Sequence, residues 1–215
     1  MPRIIEEKVY LAEQSGYFSS NNALSELLKE LANLSLQSTK FEFLLQKDLN
    51  TLLKANEIGN GPTDIAWLKE KVKGGVFDLY VIAHVKRYDD DADETVNKSI
   101  CFGCVQCKTS IRDRVSRDIV PSNEAMKAPF WSIGFVLDGT MFSVPKYKNM
   151  VNGNANTEFK KNGWHGMYVL SESTTLDRIY AMDLDFDIIK RHTEQAFEKW
   201  DKDRNGFTSD WRANE

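Results

Sequence analysis

The chain has 215 residues, 41% of them apolar, which supports one domain with a substantial core and is short for two. Its 28 lysines and arginines face 32 aspartates and glutamates, a formal net charge of −4. That balance excludes nucleic-acid binding through overall basicity, so such a partner would need a local cationic surface.

Residues 1–73 read as mainly helical. IIEEKVYLAEQ, ALSELLKELANL and FEFLLQKDLNTLLKA space their apolar residues at three and four, and PTDIAWLKEKV opens with a proline and an aspartate suited to a first turn. From residue 74 onward the period shortens. VFDLYVIAHV (76–85) and SICFGCVQC (99–107) are rich in β-branched and aromatic residues and predict strands. The acidic KRYDDDADETVNK between them predicts a solvated hairpin connection. PSNEAMKA suggests a short helix capped by Ser122, and FWSIGFVLDG (130–139) a buried strand. GMYVLSES (166–173) and DRIYAMDLD (177–185) predict further strands, and IIKRHTEQAFEKWDK a closing amphipathic helix. Helices first, then strands alternating with helices, predict a single α/β domain over 1–215 with a mixed central β-sheet flanked by helices. No apolar run reaches the length of a membrane span, and MPRIIEEKVYLAEQ lacks the makeup of a signal peptide. A soluble, cytoplasmic protein is expected.

Three cysteines, Cys101, Cys104 and Cys107, stand at C-x-x-C-x-x-C spacing in CFGCVQCKTSIRDR. On a regular strand, Cys101 and Cys107 point one way and Cys104 the other, so three thiolates cannot converge on one tetrahedral ion. No fourth cysteine remains, and the histidines are scattered at 84, 165 and 192. Packing in a buried strand is the better account of the cysteines, with a thiolate–metal site as the alternative.

The same alternation places Phe102, Cys104, Gln106 and Lys108 on one face. The preceding strand carries a lone acid, Asp78, in the apolar run VFDLYV. An acid there wants a cation, a metal or hydrogen bonds. Asp78 and Lys108 on adjacent strands, with the Gln106 oxygen two residues before the lysine, is how metal-dependent nucleases arrange their groups; a buried ion pair with a rim glutamine is the plainer reading. KTSIRDRVSRD then sets Arg112, Asp113, Arg114 and Arg117 just beyond. Arginine donates two hydrogen bonds to the guanine O6/N7 edge and a carboxylate accepts from cytosine N4, although a charged, solvated loop also explains such a run.

The segments LLQKDLN, DIAWLKE, VFDLY, KTSIRDRVSRD, MVNG, NGWHGMYV and DRIY resemble, in order, those of the BsaWI-type restriction endonucleases of the PD-(D/E)xK superfamily. The resemblance runs from about residue 3 to the C-terminus. It implies a Mg²⁺-dependent type II endonuclease that hydrolyses double-stranded DNA at a CCGG-containing palindrome, leaving 5′-phosphate and 3′-hydroxyl ends. It also implies a homodimer and a companion DNA methyltransferase. Asp78 matches the family's metal-binding aspartate and Lys108 its catalytic lysine. Gln106 stands where the superfamily usually has an acid, and in CCGG-cutting relatives that acid has moved to a later position. Asp118 is the first choice for it, Glu124 the second, and Glu26 matches an N-terminal helix glutamate that borders such sites. Arg112, Asp113 and Arg114 match the cluster that contacts C·G pairs, while Arg117 is assigned to phosphate. The chain is shorter at its N-terminus than the family pattern, so its assembly and affinity are expected to differ. Gln106 also favours an alternative, a DNA-binding protein of this fold without cleavage.

Two further motifs have plainer readings. DKDRNGFTSDWR (201–212) matches the first half of an EF-hand loop, but Arg212 stands where the bidentate glutamate belongs, so a capped helix end is expected. The acids of DLDFD (183–187) are expected to face solvent and His165 to be a hydrogen-bonded structural residue.

Overall fold

The computed structural model describes residues 21–37, 39–89, 93–110, 115–170, 175–182 and 187–214. The predicted helix IIEEKVYLAEQ, most of DLDFD, and residues 90–92 of the acidic connection lie outside them.

Helix α1 (Asn21–Leu36) buries Leu24, Leu27, Leu28 and Leu31, the stripe that its three-and-four spacing dictates. FEFLLQKDLNTLLKA is not one helix. Its first five residues form strand β1 (Phe41–Leu45), and only the rest is helical, α2 (Gln46–Ala55). Five consecutive, mostly apolar residues satisfy either period, and here the sheet decides. Phe41 and Phe43 pack into the core beneath α1, Leu44 points to the opposite face, and the segment pairs antiparallel with the next strand at Phe43↔Val81. Helix α3 (Pro62–Gly74) starts on its proline and ends at Gly75, whose φ of 62° is the left-handed conformation of a helix stop.

The remaining strands are β2 (Leu79–Asp89), β3 (Glu94–Ser110), β4 (Trp131–Asp138), β5 (Gly166–Val169) and β6 (Ile179–Ala181). They join β1 in a six-stranded mixed sheet whose spatial order follows the chain. β1, β2 and β3 are antiparallel neighbours, while β3 to β6 are parallel. Parallel neighbours need crossovers, and α4 (Val115–Lys127) and α5 (Pro145–Asn152) provide the first two. Helix α6 (Asp187–Lys202) returns over the sheet beside α1, burying Ile189, Ala196, Phe197 and Trp200. On the opposite face α2 and α3 cover Tyr80, Ile82, Cys101 and Cys104.

The β2–β3 hairpin contains a bulge that alters the expected faces. Val81 pairs with Gly103 but Ile82 with Cys101, leaving Phe102 as an extra residue. Phe102 therefore packs with Val105 and Cys107 under α1 and α6, whereas Cys101 joins Cys104 beneath α2 and α3. Phe102 does not share a face with Cys104, nor Cys101 with Cys107. The cysteines do serve as packing: all three are free and buried, and burial holds their thiols above the ordinary range.

Ser122 caps no helix. Helix α4 begins at Val115, two turns ahead of the expected start, and runs through Pro121, and Ser122 is buried within it, donating to the Gly163 carbonyl at 2.6 Å and sharing a hydrogen bond with Ser132.

Candidate active site

Asp78 immediately precedes β2, and its backbone N–H already pairs with the Val105 carbonyl at 2.9 Å. Its carboxylate accepts from the Cys107 N–H at 2.7 Å, which locks it against β3. Past the bulge, Cys104, Gln106 and Lys108 alternate onto the face shared by Tyr80 and Asp78. The lysine therefore reaches the aspartate's surroundings as the strand spacing requires.

Lys108 pairs with Asp118 of α4, Nζ to Oδ2 at 3.2 Å, and both side chains are about one quarter exposed. Burial raises Asp78 above the ordinary carboxylate range and the Asp118 charge adds to it, against the Cys107 hydrogen bond and the Lys108 charge. Two carboxylates thus lie near a single lysine that is paired with one of them, a local excess of negative charge that a hard cation would offset. Oxygen donors of this kind suit Mg²⁺, which takes one or two protein carboxylates and completes its shell from water and phosphate. The described residues hold no group of three or more histidine, cysteine, aspartate or glutamate side chains around a common point, and a site with Mg²⁺ chemistry does not need one.

Gln106 is buried and both ends of its amide are engaged. Oε1 accepts from the Trp164 indole N–H at 2.8 Å, and Nε2 donates to the Asp118 backbone carbonyl at 3.2 Å. Trp164 lies in the loop between α5 and β5, 58 residues away, and the strand pattern could not reveal it. Only the density of the NGWHGMYV match marked the segment. Pro121 gives this brace a reason. Proline has no N–H, so the Arg117 carbonyl, one residue before Asp118, lacks its donor four residues on, and the turn carrying Asp118 gains an outside donor where its own ladder is weakest.

The other candidate acids sit differently. Glu26 of α1 lines a cleft of about 770 Å³ together with Asp78, but it is paired with Lys47 at 2.9 Å and Lys29 at 3.5 Å. The Lys47 hydrogen bond is the main cause of its lowered pKa. Glu124 bonds Lys71 of α3 at 2.8 Å. It follows Asp118 by six residues, which places it about 120° around the helix and about 9 Å along it. Asp118, not Glu124, stands beside Lys108. Arg117 is exposed on the first turn of α4, and Arg112, Asp113 and Arg114 lie outside the described residues.

The decoys resolve as structural features. Asp203 accepts from Gly206 N–H at 2.9 Å and from Lys199 at 2.6 Å, closing the end of α6. His165 is buried, with Nδ1 accepting from Ser132 N–H and Nε2 donating to the Thr208 carbonyl, each at 3.0 Å. No helix among the described residues is long and apolar enough to cross a membrane.

Comparison with known proteins accords with this geometry. Residues 54–205 match the family model described as BsaWI restriction endonuclease type 2. A search of curated proteins gives no match. Among solved structures, the chain superposes on a pre-specific BsaWI–DNA complex with a TM-score of 0.82 and 44% identity, covering 100% of this chain and 75% of that one. A specific AgeI–DNA complex also matches at 17% identity and a TM-score of 0.46, covering 78% of this chain and 62% of that one. The matched segment holds Asp78, Gln106, Lys108, Asp118 and Trp164 together, and on it the chain belongs to the BsaWI family of type II restriction endonucleases, site-specific deoxyribonucleases.

Proposed function

We propose that the protein cuts both strands of a CCGG-containing palindrome in a Mg²⁺-dependent hydrolysis, leaving 5′-phosphate and 3′-hydroxyl ends. The observation that carries this reading is the ion pair of Lys108 with Asp118 beside the buried Asp78, close enough for both charges to act on that carboxyl. Asp78 and Asp118 are the residues that would hold the metal. When bound, Mg²⁺ supplies charge neutralisation at the scissile phosphate and a lowered pKa for water. Asp78 must be ionised to serve, and its hydrogen bond from Cys107 N–H favours that form. Lys108 orients the attacking water and offsets the charge that develops on phosphate oxygens. Gln106 holds the turn that carries Asp118, and Glu26 borders the site across the cleft.

Arg112, Asp113 and Arg114 are assigned to the C·G pairs and Arg117 to a phosphate. A two-fold symmetric target calls for a two-fold symmetric enzyme, so a homodimer is the working assembly. The enzyme acts on DNA in the cytoplasm, and a companion methyltransferase protects the host's own sites.

The test is incubation of the purified protein with a plasmid carrying mapped CCGG sites, with Mg²⁺ or with EDTA, beside Lys108→Ala. Discrete fragments ending at those sites, formed only by the parent protein with Mg²⁺, are expected. A second reading, specific binding without cleavage, is favoured by the neutral Gln106 at the usual acid position; band shifts of CCGG duplexes without any cutting would support it.

A further inference from the structure

The cleft that contains Asp78 has a lining unlike the rest of this acidic chain. Four lysines reach it from two helices, Lys47 and Lys54 from α2 and Lys69 and Lys73 from α3, against two carboxylates, Glu26 and Asp78. Their spacing is helical. Lys47 and Lys54 are seven residues apart and Lys69 and Lys73 four, so each pair forms one stripe, and both stripes face the same space. Buried Leu53 and Val72 form part of the floor between them.

Helix stability does not explain this placement. Lysines in a last turn complement the helix dipole, which covers Lys54 and Lys73. Lys69 sits before the last turn of α3, and Lys47 stands in the first turn of α2, where a cation is unfavourable. Like charges four residues apart also repel, so Lys69 and Lys73 weaken α3 slightly rather than support it. Lys47 is matched by Glu26. Lys54, Lys69 and Lys73 are exposed, and no ion pair within 4 Å is formed by any of them among the described residues.

We infer that Lys54, Lys69 and Lys73 form a phosphate track, a surface that holds the sugar–phosphate backbone of the DNA strand running into the site at Asp78. The inference rests on DNA as the substrate of this site and adds residues to which no role has been assigned. The partner follows from the chemistry: a row of unpaired ammonium groups ending at a carboxylate fits a polyanion whose charge must be neutralised right up to the reacting phosphate. Such contacts supply affinity without sequence preference, because they touch no base edge. Lys47 takes the opposite part, holding the Glu26 carboxylate away from incoming phosphates.

Salt dependence tests it. Equilibrium binding of a CCGG duplex and of an unrelated duplex is measured from low to moderate salt, in Ca²⁺ or EDTA, for the parent full-length protein and for Lys69→Ala, Lys73→Ala and the Lys54→Ala/Lys69→Ala/Lys73→Ala triple variant. Lys202→Ala, on the far end of α6 and paired with Glu198, is the charge-matched control. Each track lysine should lower the slope of log K against log salt by about 0.9, and should weaken both duplexes by the same factor. The control should leave the slope unchanged. A triple variant with the parental slope overturns the track, and so does a loss confined to the CCGG duplex, which would mean base contacts instead. Melting temperatures within error of the parent show that the lysines are not needed for folding. Cleavage by the parent protein, run alongside, reports separately on the nuclease reading, since the slope is measured without turnover.

Discussion

Trp164 donates its indole N–H to Oε1 of Gln106, and the same amide donates onward to the carbonyl of Asp118. The Gln106 side chain is thereby engaged at both ends, one on a loop and one on a helix. Gln106→Leu should leave the indole and the carbonyl without partners, costing about 1–3 kcal/mol of stability. Displacement of Asp118 should slow single-turnover cleavage on the order of 10²-fold, with DNA binding retained. Gln106→Glu separates two roles. A brace loses its donor to Asp118, so the Mg²⁺ concentration for half-maximal rate should rise; a metal ligand would make it fall.

Lys108→Ala and Asp78→Asn should each reduce cleavage by about 10²–10⁴-fold while CCGG duplexes still shift in gels. Rapid-quench rates with matched binding isotherms measure this. Cleavage by Lys108→Ala at the parental rate would remove the lysine from the chemistry.

Burial favours the protonated form of Asp78 in the metal-free protein, so a metal taken up there must displace a proton. The Mg²⁺ concentration for half-maximal single-turnover rate should therefore rise as pH falls toward the ordinary aspartate value of 3.8. A half-maximal concentration independent of pH would remove Asp78 from the metal site.

Arg112→Ala should weaken specific binding by about 1–3 kcal/mol, the cost typical of one bidentate base contact, and relax the preference for CCGG. Competition between CCGG and single-substitution duplexes measures it, and an undiminished preference would move recognition elsewhere.

Two histidines make stability depend on pH. Burial lowers His165 to about 3 and His192 to about 4, below the ordinary 6.5. Both are neutral in the fold and become protonated in the unfolded chain below pH 6.5, so unfolding takes up protons in that window. Stability is fully present above 6.5 and should fall steadily as pH drops toward 4, with an uptake that approaches about two protons. Urea titrations at about pH 7, 6, 5 and 4.5 give the slope, and a flat line would contradict it.

Much of this was legible in the sequence, and the failures have physical causes. The β2 and β3 strands, with Asp78 just ahead of the first and Lys108 on the second, followed from period and from a lone acid in an apolar run. FEFLL was read as helix because a short, mostly apolar segment has no period of its own; pairing with β2 settles it. Ser122 was taken as the cap of a short helix in PSNEAMKA, whereas α4 runs through Pro121 and uses the hydroxyl to hold the Gly163 loop. Asp118 was ranked ahead of Glu124 in the linear string, and the packing of α4 separates them, turning Asp118 to Lys108 and Glu124 to Lys71. The partner of Gln106 was invisible because no local pattern specifies a contact between a strand and a loop so far along the chain.

The extra residue at Phe102 divides the hairpin into two segments of opposite phase. On the inner side, Leu79↔Val105 and Tyr80↔Cys104 fix which way Gln106 and Lys108 point; on the outer side, Ile82↔Cys101 and the pairs beyond it keep their own alternation. The site-bearing end is thereby insulated from the hairpin tip. Residues gained or lost in pairs around the acidic connection change the length of an exposed ribbon and leave the lysine's direction untouched. Loss of the one bulged residue would force a choice: either the outer ribbon turns its apolar side chains over, or Lys108 rotates into the core beneath α1 and α6.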